Sequence, residues 1–485
     1  MTYFFLQDDE KSLYDLLYIA SQCKAKGITC IFFLPSFWND NIQKILDEGH
    51  QCFYFYNSQL NKAEKNRNTL KKGHRTFLNQ NKNLYKNSFI NDIKRNIKSR
   101  SSLYKIISYI KVYKNLDYLS KRLIKNYNPN LLVSDTDCNL MPSIFVKNFS
   151  VKYIPTFIIQ WAHFSPTIND LAYWSKIKSN KRSKSILYHI LYIITSVVVP
   201  RSKFYLDGQL ILRTNPEIIL VSAYFGVYVK YPWTWGGGMS DFKLVSGTTS
   251  KEKLIEYGID RNKIIVSGQP RMFLSLNDSN YINSSSIRDE MNDGNKIILF
   301  IGSGNYNNAI FSIAEHRDNV NFIINELFLI NKNHHIVVKT HPNEENISDY
   351  NFLRATFNNK VRVIDNYDIL KLINKSSLVI TENSSAVVYA LAKVPVISFN
   401  FTDIEFLNYN KSWKLTKMHA ESKDDFKDLL KKVFFDKNFR AKTLEDQKTI
   451  LDNHYLNQET DYPSLFKKYS RKYKVDKYNK YAASS

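Results

Sequence analysis

One short stretch, residues 3–34, predicts a strand, a helix and a second strand. Its sequence is YFFLQDDEKSLYDLLYIASQCKAKGITCIFFL. The apolar run Tyr3–Leu6 is followed by leucines at helical spacing, and Gly27 is the kind of residue that ends such a helix. Ile28–Leu34 is a second apolar run of strand length. Two strands joined by a helix predict a parallel sheet with a helical crossover.

The same alternation of strands and helices continues along the chain and is interrupted twice. The first interruption is basic, with 18 Lys or Arg against three acidic residues in 62–125. The second, at 272–294, is polar and rich in Asn and Ser, which is the composition of a linker. We therefore expect an α/β fold of two Rossmann-like, doubly wound domains facing a central crevice. The predicted divisions are 1–271 with a basic insertion at 57–126, the linker 272–294, a second domain at 295–436, and a C-terminal helix and basic tail at 437–485.

Some local assignments depend on few residues. Glu217–Val221 is an apolar run of strand length, and we assign it as a strand. Ser385–Ala392 follows a predicted strand directly, and we assign it as a helix. The last 30 residues are basic and rich in Tyr, and we expect a tail there, after amphipathic helices at 423–436 and 437–453.

The composition excludes several classes of protein. Hydrophobic residues make up 44% of the 485 residues, so the chain can bury sizeable cores and a largely disordered protein is not expected. The four cysteines have no CxxC spacing, which argues against a structural zinc site or a disulfide framework. Reduced thiols and an N-terminus without signal-peptide features favour a cytoplasmic protein.

The formal net charge of +23 favours a polyanionic partner. Nucleic acid, anionic lipid headgroups, and an acidic polymer with a nucleotide-bearing donor all satisfy this charge. The alternative is that the Lys excess reflects biased coding and has no partner.

An apolar run of 14 residues, Ile186–Val199, follows five basic residues between Lys176 and Lys184. A helix needs about 20 apolar residues to span a bilayer, so this run is too short to cross one. Two interpretations stay open: a buried helix, or an element that lies on a membrane surface beside its basic flank.

Polar residues follow two predicted strands of the second half. His341 and Pro342 end one strand, and Glu382, Ser384 and Ser385 follow another. The carboxyl ends of parallel strands meet at one edge of a sheet, so these residues are expected to converge with a helix N-terminus on a donor phosphate or nucleotide. The alternative is that Ser384 only caps a helix and His341 is a turn residue.

A glycine-bearing loop follows the first strand of the second half. Gly302, Ser303 and Gly304 form this loop, and the glycines would let the backbone approach a phosphate closely. The loop matches neither the GxGxxG fingerprint nor the Walker pattern, so by itself it does not identify a nucleotide site.

Three residues of the first half are candidates for a catalytic base. Asp135 and Asp137 follow one strand directly, and His163 ends the next. A carboxylate or imidazole there can deprotonate an acceptor hydroxyl, although an Asp in that position can also cap the next helix. His and Cys do not cluster with this pair, so we assign no metal ion.

Two stretches resemble known families. Residues 244–271 resemble the stretch that closes the N-terminal domain of many GT-B proteins, among them UDP-GlcNAc 2-epimerase relatives and bacterial surface-polysaccharide transferases. His341-Pro342 followed by Ser384-Ser385 resembles the HP and SS motifs of GT-B sialyl-, polysialyl- and Kdo-transferases and of CDP-glycerol polymerising enzymes. All of the latter group expel a cytidine nucleotide.

This resemblance implies a GT-B fold in which His341, Ser384 and Ser385 hold the donor phosphate. It covers about residues 241–400 well, and the first half only in topology. The acidic base motif of the sialyltransferases is missing, so Asp135 or Asp137 would have to supply the base.

The resulting prediction is a GT-B glycosyltransferase of bacterial surface-glycan synthesis, acting on capsule, lipopolysaccharide or a similar polymer. The donor is a nucleotide sugar, with a CMP-linked acidic sugar first and a UDP-sugar second. The acceptor is a glycan or lipid-linked glycan, and no cofactor and no metal ion are expected. The protein is expected in the cytoplasm, peripheral at the inner face of an anionic membrane.

Two other functions remain open. A hydrolysing UDP-GlcNAc 2-epimerase would release free sugar from its donor without an acceptor. A non-enzymatic, basic nucleic-acid-binding protein would explain the charge, but the chain shows no nucleic-acid-binding motif and its basic residues concentrate in 62–125. We therefore expect no nucleic-acid partner.

Overall fold

The computed structural model describes most of the chain. The described residues are 1–9, 12–34, 39–54, 102–161, 167–180, 186–270, 272, 297–303, 312–330, 335–341, 350–357, 360–365, 369–382, 384–391, 393–402, 411, 414, 418–455 and 459–482. Much of the predicted basic insertion (55–101) and nearly all of the predicted linker (273–296) lie outside them. The described residues form two parallel sheets, one antiparallel hairpin and the surrounding helices.

The N-terminal half contains a sheet of seven parallel strands and a hairpin. The strands of this half, sheet and hairpin together, are β1 (Thr2–Leu6), β2 (Thr29–Leu34), β3 (Gln51–Tyr54), β4 (Leu131–Ser134), β5 (Thr156–Ile159), β6 (Lys203–Leu206), β7 (Gln209–Leu212), β8 (Phe242–Val245) and β9 (Ile264–Val266). The sheet order is β3-β2-β1-β4-β5-β8-β9, while β6 and β7 pair antiparallel to each other. The order reverses between β1 and β4, which is where a doubly wound fold opens a crevice.

Helices cover both faces of this sheet. They are α1 (Leu13–Ala25), α2 (Asn39–Asp47), α3 (Ser102–Tyr127), α4 (Leu140–Val151), α5 (Ile168–Asn180), α6 (Ile186–Val198), α7 (Pro216–Tyr224) and α8 (Thr248–Glu256). Successive side chains of a strand point to opposite faces, so Phe5 packs in the core beneath α1 and Phe4 in the core beneath α3 and α4. A strand buried on both faces accounts for the unbroken apolar runs in the sequence.

The second half repeats this architecture. Its strands are β10 (Ile297–Ile301), β11 (Ile336–Lys339), β12 (Val361–Ile364), β13 (Ser376–Thr381), β14 (Val396–Phe399) and β15 (His419–Ala420), in the parallel order β12-β11-β10-β13-β14-β15. Its helices are α9 (Ile313–Ile330), α10 (Asn351–Phe357), α11 (Ile369–Lys375), α12 (Lys423–Phe435) and α13 (Lys437–His454). The order reverses between β10 and β13, so a second crevice edge lies at those strand ends.

The last helix, α14 (Tyr462–Ala482), returns to the N-terminal half. Tyr462, Phe466 and Tyr473 are buried in the core that contains Phe157 and Phe242. The Tyr462 hydroxyl also donates to the carbonyl oxygen of Ser267 over 3.2 Å. The expected basic tail is thus a helix that packs on the first sheet, because its aromatic side chains recur on one side.

Two other local predictions are wrong. Glu217–Val221 belongs to α7, because Pro216 takes the first helical position after Asn215 and Glu217 is buried in the first turn. The segment after β13 forms a short 3₁₀ helix, Ser385–Tyr389, and the predicted helix does not continue to Ala392.

Candidate functional site

Three adjacent strands of the second sheet end side by side. In the parallel register, Ile301 of β10 lies opposite Lys339 of β11 on one side and Thr381 of β13 on the other. The backbone N–H of Gly302 donates to the carbonyl oxygen of Lys339 over 2.9 Å. The residues after β10, β11 and β13 therefore share one edge of the sheet, as the sequence predicts.

His341 lies at this edge, two residues beyond β11. The buried Thr340 before it donates to the carbonyl oxygen of Ile364 through its backbone N–H over 3.0 Å, which fixes the chain as it leaves the strand. The Lys339 ammonium is also buried and donates to the carbonyl oxygens of Thr340 and Asp365 over 2.8 and 2.6 Å. His341 itself is half-buried and directly follows this fixed segment.

Glu382 and Ser384 complete the edge beside it. The Ser303 hydroxyl donates to the Glu382 carboxylate, which is only 4% exposed, so the loops after β10 and β13 are joined. The Thr381 hydroxyl donates to the carbonyl oxygen of Ile301 over 3.1 Å and accepts from the backbone N–H of Ser384 over 3.2 Å. The candidate donor site is thus held by hydrogen bonds between two neighbouring strand ends.

The Ser384 hydroxyl accepts a hydrogen bond from the backbone N–H of Ala386 over 3.2 Å and caps the 3₁₀ helix. A five-residue 3₁₀ helix has little of the dipole of a long α-helix. Anion binding at this edge therefore depends on side chains and on individual N–H groups, and not on a helix dipole.

Asp135, at the end of β4 in the first sheet, is fully buried. Its Oδ2 atom accepts from the backbone N–H groups of Asp8 and Asp9 over 2.9 and 2.8 Å, and from the Ser12 hydroxyl over 2.6 Å. Burial, together with the neighbouring Asp8, raises the pKa of Asp135 to about 7. This carboxylate joins β4 to the loop after β1 and is closed to a bulky acceptor.

Asp137 is also fully buried, and it forms an ion pair with Lys243 over 3.7 Å. Its Oδ2 atom accepts from the backbone N–H and hydroxyl of Ser240 over 3.1 and 2.5 Å. A Cβ atom at Gly238 would come within 2.3 Å of the Asp137 carbonyl oxygen, so the close approach of the two segments requires glycine there. Asp137 therefore anchors the glycine-rich loop around Gly238.

Asp8 is a half-buried carboxylate at the same strand ends, and sequence reasoning missed it. Its Oδ2 atom accepts from the side-chain amide of the exposed Asn139 over 2.5 Å. Burial raises the pKa of Asp8. The signal that could have found it is its position two residues after β1, beside β4 at the reversal of the strand order.

Several predicted site residues cannot be placed. His163, Pro342 and Gly304 lie outside the described residues, and the side chain of Ser385 does as well. In the described part of the chain, no group of three or more His, Cys, Asp or Glu side chains is placed to hold a metal ion. None of the described helices is long and apolar enough to cross a membrane.

A known family matches the part of the chain that holds the donor-side residues. The family described as CDP-glycerol:poly(glycerophosphate) glycerophosphotransferase matches residues 238–423. The match includes Gly302, Ser303, His341, Glu382 and Ser384, and it begins after the first seven strands. No curated protein sequence matches the chain.

Two solved structures share the fold over nearly the whole chain. An S. aureus MnaA–UDP co-structure has a TM-score of 0.55 at 10% identity, covering 98% of this chain and 97% of that one. A UDP-N-acetylglucosamine 2-epimerase has a TM-score of 0.51 at 10% identity, covering 93% and 94%. At this identity the likeness concerns the fold alone.

The strand orders, the family match and the fold likeness agree with one another. The chain has the GT-B fold, with two Rossmann-like domains whose strand ends carry the candidate residues. It is a transferase enzyme of the glycosyltransferase-like kind, similar over residues 238–423 to glycerophosphotransferases that use CDP-glycerol.

Proposed function

We propose that this chain transfers a group from a cytidine-nucleotide donor to a growing bacterial surface polymer. The observation that carries the proposal is the shared edge after β11 and β13, where His341 and Ser384 lie within the family match. A half-buried histidine and a serine at one edge of the sheet are suited to the charge that develops on a leaving phosphate.

Two donor classes are compatible with this edge. The family match supports a CDP-linked glycerol, and the HP and SS motifs also support the CMP-linked acidic sugar expected from the sequence. In the first, the acceptor oxygen bonds to the distal phosphorus and the bond to the CMP oxygen breaks. In the second, the oxygen bonds to the anomeric carbon and CMP departs. CMP is the leaving group in both, whereas a UDP-sugar would release UDP.

On the acceptor side, a base must remove the hydroxyl proton as the new bond forms. Asp8 is the carboxylate best suited to this task, because it is half-buried at the strand ends and its pKa is raised. Asp135 and Asp137 position the surrounding loops, and His163 remains a sequence-based candidate for the same proton. The proposed mechanism requires no cofactor and no metal ion.

The proposed acceptor is a glycan or polyol-phosphate polymer of the cell surface, such as capsule, lipopolysaccharide or a teichoic-type chain, carried on a lipid. The enzyme would then act at the inner face of an anionic membrane. The net charge of +23 supports an anionic acceptor or surface, and no nucleic-acid partner is proposed.

A thermal-shift panel of CMP, CDP, UDP, GDP and ADP tests the donor class. We expect cytidine nucleotides to raise the melting temperature most. A shift with UDP and none with CMP or CDP would reject the cytidine donor. Radiolabelled CDP-glycerol and a CMP-linked acidic sugar, each supplied with membrane acceptor, then distinguish the two donor classes.

A hydrolysing 2-epimerase is the alternative enzyme, because two of the structures that share the fold are a MnaA–UDP co-structure and a UDP-N-acetylglucosamine 2-epimerase. Incubation with UDP-N-acetylglucosamine in the absence of acceptor separates the two functions. Release of UDP and free sugar would favour the epimerase.

A further inference from the structure

Helix α6 is attached to the protein by its polar and aromatic side. The Tyr192 hydroxyl donates to the carbonyl oxygen of Leu210 over 2.6 Å and accepts from the backbone N–H of Leu212 over 3.0 Å, so this side chain is fixed to the β6–β7 hairpin. Tyr188 and Thr195 are buried on the same side. This arrangement is the reverse of an ordinary surface helix, which buries its apolar side.

The opposite side of α6 is aliphatic and exposed. Ile186, Ile190, Ile193 and Val197 are 82%, 49%, 63% and 70% exposed, and their four- and three-residue spacing places them on one side of the helix. The whole exposed set, called the α6 apolar face below, is Ile186, Leu187, Ile190, Ile193, Ile194, Val197 and Val198. Scattered exposed apolar residues are common, but a continuous stripe of seven marks a binding surface.

The chain around this face is uniformly basic. Residues 171–206 contain seven Lys or Arg and no Asp or Glu. Five of the seven precede α6 in the sequence, and three of these, Lys181, Arg182 and Lys184, lie outside the described residues. Arg201 and Lys203 follow α6 among the described residues. A short aliphatic stripe within a basic stretch of the chain suits a surface that offers anionic headgroups above an apolar interior. The 13-residue helix would lie flat on such a surface.

The α6 apolar face is also connected to the candidate crevice. The β6–β7 hairpin that holds Tyr192 contributes Phe204, whose ring packs on Trp233 at a centroid distance of 5.6 Å. Two residues later, the Trp235 indole N–H donates to the carbonyl oxygen of Asp135 over 3.3 Å. Contact with a surface through α6 would therefore bring the acceptor side of the crevice close to that surface.

We propose that the α6 apolar face docks the protein on an anionic lipid bilayer, with its aliphatic side chains in the interface and the flanking cations on the headgroups. The inference deepens the proposed function, and its link to a lipid-linked acceptor rests on that function. Docking itself does not depend on which donor is used.

Vesicle sedimentation of the full chain tests this proposal. Vesicles of phosphatidylcholine alone and with 30% phosphatidylglycerol are compared at low and high salt. The test variant is Ile193→Ser with Val197→Ser, which removes aliphatic surface without changing charge. The matched control is Leu329→Ser on α9, a residue that is 77% exposed in the other half. We expect wild type and control to bind the anionic vesicles, and the test variant to bind about tenfold more weakly or worse.

Equal vesicle binding by the test variant and wild type would overturn the proposal, as would no preference of wild type for anionic vesicles. Two lipid-free measurements detect other occupants of the face. Loss of a dimer in sedimentation velocity on the double substitution would assign the face to a second copy. A clear fall in melting temperature would assign it to another segment of this chain. Nucleotide-induced thermal shifts, measured without lipid, report separately on the proposed function.

Discussion

His341 leaves a strand whose last residues are fixed by buried hydrogen bonds, so its substitution should change chemistry more than folding. We expect His341→Ala to lower kcat/KM about a hundredfold or more, because a group that offsets charge on the leaving phosphate is removed. The melting temperature should stay close to that of wild type. His335→Ala, at the exposed start of the same strand, is the matched control and should retain activity. If His341→Ala kept more than half of the wild-type rate, His341 would have no part in the mechanism.

Asp8 allows a test of the acceptor side. Asp8→Asn keeps the shape of the side chain and its contact with Asn139. The amide cannot remove the proton of the acceptor hydroxyl, so we expect a loss of about a hundredfold in kcat. Because the pKa of Asp8 is raised, the wild-type rate should climb with pH above the ordinary range of carboxyl groups, and this climb should vanish in the variant. Asp207→Asn, at an exposed aspartate between β6 and β7, serves as the control. An unchanged pH profile in Asp8→Asn would point to His163.

At the scale of single residues, the sequence predicted the positions of several candidate residues but not their contacts. His341, Glu382 and Ser384 could be expected at one edge, because strand ends are visible as transitions from apolar runs to polar residues. The burial of Asp137 could not be predicted, since its partner Lys243 lies more than a hundred residues later and no spacing rule connects them. Asp8 was overlooked because an Asp after a first strand has no distinguishing neighbour in the sequence.

At the scale of elements, a comparison of two serine caps can separate the effect of capping on stability from an effect on donor binding. Ser384 caps the 3₁₀ helix at the candidate site, and Ser422 caps α12 away from it by accepting from the backbone N–H of Asp425 over 3.1 Å. Loss of either cap should cost about 1 kcal/mol of stability. We expect only Ser384→Ala to raise the donor KM, by about tenfold, because its hydroxyl also meets the phosphate. Similar donor KM values in both variants would leave Ser384 with a capping role alone.

Elements with strong periodicity or long apolar runs were predictable, and the failures have identifiable causes. An apolar run of four residues such as Ile218–Val221 fits a strand or one turn of a buried helix equally well, and in α7 the preceding Pro216 decides for the helix. For α6, hydropathy indicated a helix but could not indicate which side packs on the protein. Tyr192 is held inward by hydrogen bonds of its hydroxyl group and Tyr188 by burial of its ring, and a hydropathy scale undervalues both.

At the scale of the whole molecule, α14 links the end of the chain to its beginning. Its ring contacts include Phe466 with Phe157, at a centroid distance of 4.9 Å and nearly perpendicular planes. The N-terminal core therefore includes side chains from α14. The contact between Phe466 and Phe157 could not be predicted from the sequence, because the two residues are more than 300 positions apart. The doubly wound topology of each half, in contrast, follows from the local alternation of strands and helices.

Three histidines of the C-terminal half should make folding sensitive to acid. Burial lowers the pKa of His316 and His454 to about 4, and burial with the nearby Lys411 does the same for His419. Unfolded histidines titrate near 6.5. Between these values the unfolded chain binds protons that the folded chain does not, so stability should fall as the pH decreases from 6.5 to 4. Asp135 acts in the opposite direction, because its raised pKa lets the folded chain hold a proton up to about pH 7.

Burial also lowers the pKa of His50 and raises the pKa values of Asp8 and Asp241, so four histidines oppose three carboxyl groups. We expect a net loss of stability in acid, which urea denaturation at pH 7 and pH 5 measures directly. We expect a lower midpoint at pH 5. His316→Gln can keep a hydrogen bond to Tyr350, whose hydroxyl lies 2.9 Å from the imidazole Nε2, and it should reduce the difference between the two midpoints. His335→Gln, at an exposed position, should leave that difference as in wild type. A higher midpoint at pH 5 in the wild type would mean that Asp135 outweighs the histidines, and Asp135→Asn should then reverse the trend.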